Sequence, residues 1–412
     1  AMGGVFPLLC AEGVRDADAS GHGVSRVILA NVLGATAGPL LTGFVLLEVE
    51  TLQHNILLLS VACLVIAQVL WWFAPETSRR QAGAAVAAVV ALVMLGIQTP
   101  LYTLFLERLH FGTDGYTPGY DYIVQGRDAI VGVWPSRFEY GDGLYDGGFF
   151  TNPVTNENMI SRAYFVTALH PKPRRVLEIG VGTGSWARVL ADNPATDSLT
   201  IVELNPEYVR MMFHFPTEAS VLDDPKVDLH FDDGRRWLAR NPARRFDAIV
   251  INGTWHWRSG ATHILSAEFL QEAKQHLTPG GVLYWNTTGS LDVIYTAAGV
   301  FKHVTRYLNF VAGSDAPFAV DSATRRAAID AYRGPNGSLP FAPGGAYVDA
   351  RQELIDTPTE DVAPDFRRAN DLWYVTDDNM ATEFKTNGAG KWWRDLPARV
   401  FRPERAWTSV LF

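Results

Sequence analysis

The first quarter of the chain is dominated by long apolar stretches. Residues 27–47, 56–74 and 82–106 contain no charged side chain. About 20 apolar residues cross the ~30 Å hydrocarbon core of a bilayer. Buried core helices are the alternative, but three stretches in series with short polar links favour a membrane region over residues 1–110. A kink is expected at Pro100, since proline interrupts helix hydrogen bonding.

Residues around these stretches fit a membrane interpretation. Trp71 and Trp72 close the second stretch, as interfacial aromatic residues do. Gly34, Gly38 and Gly43 give the first stretch a face of small residues suited to close helix packing. The opening ten residues are apolar but too short to span a bilayer, so we expect the chain to begin within or after an earlier membrane helix.

From residue 174 onward, short apolar runs alternate with helical patterns. Helices are predicted in the gaps, for example over residues 185–191 and 267–277. This alternation of strands and helices predicts a mainly parallel sheet with helices on both faces. The predicted strands are residues 176–179, 199–202, 227–231, 246–251 and 281–285.

A glycine-rich loop lies between the first of these strands and the helix that follows. Its glycines, Gly180, Gly182 and Gly184, allow a tight turn and a close approach of backbone to a ligand. Glu203 ends the second strand, where a carboxylate can accept hydrogen bonds from ribose hydroxyls. Asp233 follows the third strand and could accept one from an adenine amino group. A plain doubly wound domain with incidental acids at its strand ends is the alternative.

Two further regions flank this predicted nucleoside-binding domain of residues 161–312. Residues 111–160 form a small β-rich region, with strands expected at 128–134 and 137–140. Residues 313–412 have little periodicity and end in tryptophans set among arginines. Such an extension could dock on its own domain, clamp a partner or lie on lipid headgroups.

Composition and charge narrow the classes of protein. Charged residues are 19% of the chain, and residues 1–110 hold only five of the 35 Lys and Arg and seven of the 44 Asp and Glu. The net charge of −9 argues against nucleic acid as a partner. The aromatic content of 12% excludes a disordered chain. Both cysteines, Cys10 and Cys63, lie in the apolar quarter, so a cysteine-based metal site in the soluble part is excluded and we predict no metal.

The run from Val176 to Gly184, VLEIGVGTG, resembles motif I of class I S-adenosylmethionine-dependent transferases. The resemblance implies a Rossmann-like domain whose glycine loop packs on the methionine part of the cofactor. It also implies that Glu203 holds the ribose and that Asp233 meets the adenine.

A closer resemblance is to the spermidine synthase family, and within it to the membrane-fused bacterial branch. The segments that carry it are TNPVT at 151–155, HPKP at 170–173, DDGR at 232–235, LSAEF at 265–269, LTPGG at 277–281, VTDD at 375–378 and NVLGATAG at 31–38. Members of this family bind decarboxylated S-adenosylmethionine and transfer its aminopropyl group to an amine such as putrescine. The resemblance therefore implies S-adenosylmethionine or its decarboxylated form as cofactor, and a small amine as acceptor.

Acids that the family uses to handle the amine are absent from this chain. The family's acid pair after strand four corresponds to Asn252 and Trp255, and its upstream Tyr-x-Glu corresponds to Asn158 and Ile160. Ordinary spermidine synthesis is therefore doubtful. His256 could replace the base, since a histidine has a suitable pKa; a packed loop histidine is the plainer alternative. We name His256 and Asn252 as candidate catalytic residues, and Asn252 also as a cofactor-binding candidate.

The membrane orientation has two conflicting indications. Arg79 and Arg80 lie between the second and third apolar stretches, and the positive-inside rule would place the soluble domain outside. A domain that binds a cytoplasmic nucleoside has to lie inside. Two arginines are few, so we expect an integral protein of a bacterial inner membrane with its soluble domain in the cytoplasm.

Two functions follow from these observations. The first is a membrane-anchored, spermidine synthase-like transferase. The second is a catalytically degenerate accessory or scaffold subunit of a membrane complex, with other membrane subunits as partners. The site after strand four discriminates between them, because an open pocket there favours catalysis and a plugged one favours the scaffold. A transporter is disfavoured, since three spans make too few helices for a transport path.

Overall fold

The computed structural model describes residues 20–72, 77–112, 119–253, 255–341 and 346–384. The chain divides into two compact units. One comprises residues up to Gly132 together with Gly141–Leu144, and the other comprises Val133–Tyr140 and everything from Tyr145 onward. The opening apolar segment and the tryptophan- and arginine-rich residues 385–412 lie outside the described residues.

The first unit contains long apolar helices. Helix α1 covers Ser20–Leu41 and continues through a π turn, Thr42–Leu46, to Leu47–Val49. Helix α2 covers Leu52–Trp72. The segments Gly21–Val49 and Leu52–Val69 are long and apolar enough to cross a membrane by length and composition. Apolar side chains along them are largely exposed, and a helix that is apolar all round needs a nonaqueous or protein environment.

The third apolar stretch, with its predicted span of residues 82–106, is covered by two helices. Helix α3 covers Thr77–Tyr102 and includes the apolar segment Gln81–Met94. Leu104 has a left-handed backbone (φ +51°), and a separate helix α4 begins after it at Phe105–Phe111. The charge-free run therefore contains a break between two helices at Leu104, which its hydropathy does not reveal. Helices α2 and α3 pack against each other.

Four short strands form a separate sheet in the order β1-β2-β3-β4. They are β1 (Tyr122–Gln125), β2 (Ile130–Val133), β3 (Phe138–Gly141) and β4 (Leu144–Gly148). The strands expected at 128–134 and 137–140 are present as β2 and β3. Asp142 and Gly143 both have positive φ, as the two-residue turn between β3 and β4 requires.

The second unit is built on a seven-stranded mixed sheet in the order β10-β11-β9-β8-β5-β6-β7. Neighbours from β9 through β7 pair in parallel, whereas β11 pairs antiparallel with both β9 and β10. All five predicted strands are present, and the last two strands form an unpredicted hairpin. The strands are β5 (Arg175–Ile179), β6 (Ser198–Glu203), β7 (Val227–Phe231), β8 (Phe246–Ile251), β9 (Leu277–Asn286), β10 (His303–Tyr307) and β11 (Phe310–Ser314).

Helices lie between the parallel strands, as the alternating pattern predicts, and further helices precede β5 and follow β11. One side of the sheet buries Leu177, Ile179, Ile249 and Trp285 in a cluster with Phe269. The helices are α5 (Ser161–Tyr164), α6 (Val166–Leu169), α7 (Ser185–Asp192), α8 (Pro206–Met212), α9 (Pro216–Ala219), α10 (Gly234–Arg240), α11 (Ala267–Gln275), α12 (Leu291–Val300), α13 (Ser322–Ala331), α14 (Ala346–Asp356), α15 (Ala363–Phe366) and α16 (Ala381–Phe384).

The described part of the C-terminal extension docks on the α/β domain. Asp377 accepts two hydrogen bonds from the Arg235 guanidinium, at 2.8 and 2.6 Å, and one from the Ser266 hydroxyl at 2.6 Å. Arg367 donates to the backbone oxygens of Ala298 and Phe301, each at 2.7 Å. Of the expected roles for the extension, docking on its own domain is thus the one seen for this segment.

Candidate functional site

The site follows from the order of strands in the large sheet. Strands β5, β6 and β7 succeed one another in one direction, whereas β8 and β9 lie on the other side of β5. Ligands of open α/β sheets bind beyond the carboxyl ends of the strands at such a reversal. The glycine loop follows β5 and the segment from Asn252 follows β8, so the two predicted loops flank the reversal.

The glycine loop has a backbone that requires glycine. Gly180, Gly182 and Gly184 have φ values of +85°, +48° and +76°. A Cβ at Gly184 would lie 2.3 Å from Cε of Met212, so a larger residue would also clash there. Gly180 and Gly182 are partly exposed, which leaves the loop accessible to a ligand.

Glu203 lies at the end of β6 and is tied to the glycine loop. Its Oε2 accepts a hydrogen bond from the Val181 amide at 2.6 Å, and its Oε1 accepts one from the Asn205 amide at 2.8 Å. Burial raises the pKa of Glu203, and these backbone donors oppose that rise. The backbone amides of Gly182 and Leu204 also lower its pKa, so four backbone N–H groups surround this carboxylate.

Asp233 lies beyond β7 and has a structural role as a helix cap. Its side chain caps α10 by accepting a hydrogen bond from the Arg236 amide at 2.8 Å. Asp232 pairs with Arg236 and Arg240. The contact between Asp233 and an adenine stays a prediction.

The segment after β8 carries Asn252, Trp255 and His256. The Trp255 indole nitrogen donates to the backbone oxygen of Tyr145 at 3.0 Å, and its ring stacks on Trp257. This holds the segment against β4.

His256 is held by Thr288, which follows β9. The Thr288 hydroxyl donates to the backbone oxygen of Thr287 at 2.9 Å, so it acts as an acceptor toward His256. It receives the backbone amide of His256 at 3.0 Å and lies 2.5 Å from Nδ1. This network assigns the hydrogen to Nδ1 and leaves the lone pair on Nε2. Burial lowers the pKa of His256, which favours the neutral ring.

A polar cluster from the β3–β4 hairpin adjoins these loops, and sequence reasoning missed it. Asp146 accepts hydrogen bonds from the Tyr208 hydroxyl and from Arg258 Nη1, the latter at 3.1 Å. The Tyr145 hydroxyl donates to the side chain of Asn158. Asn158 is the residue that stands where the spermidine synthase family has a tyrosine. The only available signal was the unusual run of Tyr, Asp and Glu in a short Gly-rich region.

Two buried glutamates lie close to the glycine loop. Both carboxyl oxygens of Glu139, on β3, and of Glu178, on β5, lack a hydrogen-bond partner within the described part of the chain, and both residues are 0% exposed. Burial raises the pKa of each well above its ordinary value. Nearby Glu203 raises both further, and Asp146 also acts on Glu139. Neither residue was among the sequence-based candidates.

Comparisons with known proteins agree with this architecture. Residues 157–319 match the family model described as a methyltransferase domain. Polyamine aminopropyltransferase 1 of Pseudomonas aeruginosa is 30% identical over 191 residues, covering 46% of this chain and 61% of the relative. The α/β domain is similar in sequence to the polyamine aminopropyltransferases. It therefore has the Rossmann-like fold of class I methyltransferases and spermidine synthases, as its sequence resemblance implied.

Other matches are of the same kind. The polyamine aminopropyltransferase of Aeropyrum pernix is 26% identical over 212 residues, which cover 47% of this chain and 66% of the relative. That of Leptospira biflexa is 32% identical over 116 residues, 28% of this chain and 40% of the relative. The chain thus spans about half the length of the curated relatives it matches. A crystal structure of spermidine synthase with the transition-state analogue AdoDATO aligns with a TM-score of 0.46 and 18% identity, over 58% of this chain and 85% of that one.

Proposed function

We propose that the protein is a membrane-anchored transferase that binds decarboxylated S-adenosylmethionine and moves its aminopropyl group to a small amine. The sequence similarity to polyamine aminopropyltransferases carries this proposal, together with the match of residues 157–319 to a methyltransferase domain, which includes β5, β6 and the glycine loop. Glu203 supports it, since its carboxylate is held at the end of β6 beside the glycine loop, where a nucleoside ribose is expected. Asn252 directly follows β8, at the same edge of the sheet as the glycine loop.

The reaction needs an acceptor amine in its neutral form. The amine nitrogen attacks the carbon next to the sulfonium sulfur, and a C–N bond forms while the C–S bond breaks. The electron pair of that bond stays on sulfur, which yields methylthioadenosine. The nitrogen then loses one proton, and Nε2 of His256 takes it. The lone pair on Nε2 and the lowered pKa of His256 make this ring a proton acceptor at neutral pH.

Product analysis tests the proposal. The full chain, purified in detergent, would be incubated with decarboxylated S-adenosylmethionine and a panel of diamines, and separately with S-adenosylmethionine. Release of methylthioadenosine with an aminopropylated amine is the expected result. Release of S-adenosylhomocysteine would instead indicate methyl transfer and would refute aminopropyl transfer.

A degenerate accessory subunit is the second candidate. Asn252 and Trp255 favour it, because neither can take a proton from an amine. The indole of Trp255 also occupies space against β4. A folded protein that binds no nucleoside and forms no product would support this candidate over the enzyme.

Membrane anchoring is part of the proposal. Its support is the two apolar helices over Gly21–Val49 and Leu52–Val69. The protein should stay with bacterial inner membranes after alkaline carbonate washing, with its α/β domain digested by protease only when the cytoplasmic face is accessible. Release by carbonate would contradict the anchor.

A further inference from the structure

Glu139 presents an unexplained buried carboxyl group. It lies on β3, is 0% exposed, and neither of its oxygens has a hydrogen-bond partner among the described residues. Buried polar groups in native proteins are nearly always hydrogen-bonded, because an unsatisfied one bears its full desolvation penalty. A group kept in this state is a candidate for a partner that arrives with a ligand.

The glycine loop is the neighbour of this carboxyl group. A Cβ placed on Gly182 would lie 3.9 Å from Glu139 Oε2, an ordinary van der Waals distance. This carboxyl oxygen therefore lies directly beside the glycine loop. The charged groups that act most strongly on Glu139 are both acids, Asp146 and Glu203. Asp146 is itself engaged by Arg258 and Tyr208. The environment of Glu139 therefore favours a positive ligand group and disfavours a negative one.

S-adenosylmethionine and its decarboxylated form differ in charge at the end of the substituent on sulfur, which is the part expected against the glycine loop. Decarboxylated S-adenosylmethionine ends in an ammonium group alone. S-adenosylmethionine carries a carboxylate at the same place, which would lie close to Glu139, Asp146 and Glu203. Like charges at such separations repel, and the repulsion grows where water is excluded.

We propose, on the basis of the proposed function, that Glu139 binds the terminal ammonium of the aminopropyl chain and selects the decarboxylated nucleoside over S-adenosylmethionine. Glu139, on the β3–β4 hairpin, thus supplies a negative charge, whereas the loop after β8 lacks the family's acid pair. Binding of the cation favours the ionised form of Glu139, so nucleoside binding releases protons at any pH where Glu139 is protonated in the free protein.

Calorimetric titration of the full chain in detergent tests this role. The titrants are decarboxylated S-adenosylmethionine, S-adenosylmethionine and methylthioadenosine, the last of which has neither ammonium nor sulfonium. In Glu139→Gln we expect roughly 10- to 100-fold weaker binding of the decarboxylated nucleoside, as for a lost charged hydrogen bond. We expect methylthioadenosine affinity within about twofold of wild type. Titration in buffers of different ionisation enthalpy should show more proton release on binding to wild type than on binding to the variant.

Glu218→Gln is the matched control, because Glu218 is a buried glutamate with a raised pKa that pairs with Arg137. It should leave all three affinities and the proton release unchanged. Equal weakening of all titrants in Glu139→Gln would mean a structural role and would overturn the inference. Unchanged preference for the decarboxylated form would overturn it as well. Failure of wild type to bind methylthioadenosine would instead refute the proposed function, and the inference with it.

Discussion

Glu203→Gln tests the nucleoside site at its most constrained residue. The wild-type carboxylate receives a backbone N–H on each oxygen, from Val181 and from Asn205. Glutamine keeps the volume of the side chain but replaces one oxygen with an NH₂ group. Whichever way the amide turns, one backbone N–H then faces a donor. We expect the free energy of unfolding to fall by about 1–3 kcal/mol, as for a buried unsatisfied polar group.

The same change removes an acceptor position for the ribose. A hydrogen bond to a charged group contributes about 1.5–3 kcal/mol, so methylthioadenosine should bind roughly 10- to 150-fold more weakly. This nucleoside isolates the effect, because it contains the ribose but not the charged groups of the cofactor. Calorimetric titration measures the affinity, and thermal unfolding followed by tryptophan fluorescence measures the stability.

Acidity provides a second check on Glu203. Burial raises its pKa above the ordinary 4.5, and ribose binding requires the ionised carboxylate. Wild-type affinity for methylthioadenosine should therefore decline on acidification before pH reaches 4.5, whereas the glutamine variant should lack that decline. Glu218→Gln again serves as the control. An affinity within twofold of wild type in a folded Glu203→Gln protein would refute the ribose assignment.

Three further changes have distinct outcomes. His256→Gln should lower turnover by about 100-fold or more while methylthioadenosine affinity is unchanged, because glutamine cannot take a proton; retained product formation would exclude His256 as the base. Glu178→Gln should flatten the pH dependence of stability. The pKa of Glu178 is raised in the folded state, so the native protein binds more protons than the unfolded chain. The free energy of unfolding of wild type therefore falls by about 1.4 kcal/mol for each pH unit between the unfolded and the folded pKa. Urea titrations in which the free energy of unfolding changes equally between pH 5 and pH 8 in both proteins would contradict this. Asp377→Ala removes the two hydrogen bonds from Arg235, so amide hydrogens of residues 375–384 should exchange with solvent roughly tenfold faster or more. Exchange no faster than in the variant of the exposed neighbour, Asp378→Ala, would show that these hydrogen bonds do not hold the segment.

Local sequence patterns account for most of the α/β architecture. The strand and helix periods and the positive-φ glycines are properties of short segments, so β5 to β9 and the glycine loop were predictable. The position of Glu203 was predictable too, because a parallel sheet brings the ends of successive strands to one edge. The hairpin β10–β11 was missed, since its residues lack the polar alternation of an exposed strand. Helix lengths in the apolar quarter were less accessible, because the break at Leu104 leaves no trace in hydropathy.

The composition of the site depended on packing between distant segments. Glu139 and Asp146 precede the glycine loop by more than thirty residues, and only the folded hairpin brings them to it. Thr288, which sets the tautomer of His256, lies 32 residues farther along the chain. The amino-acid order therefore established which elements form and which family acids are absent. Folding in three dimensions established which carboxyl groups face the loop and which nitrogen of His256 can accept a proton, because side-chain partners are chosen by long-range packing rather than by local periodicity.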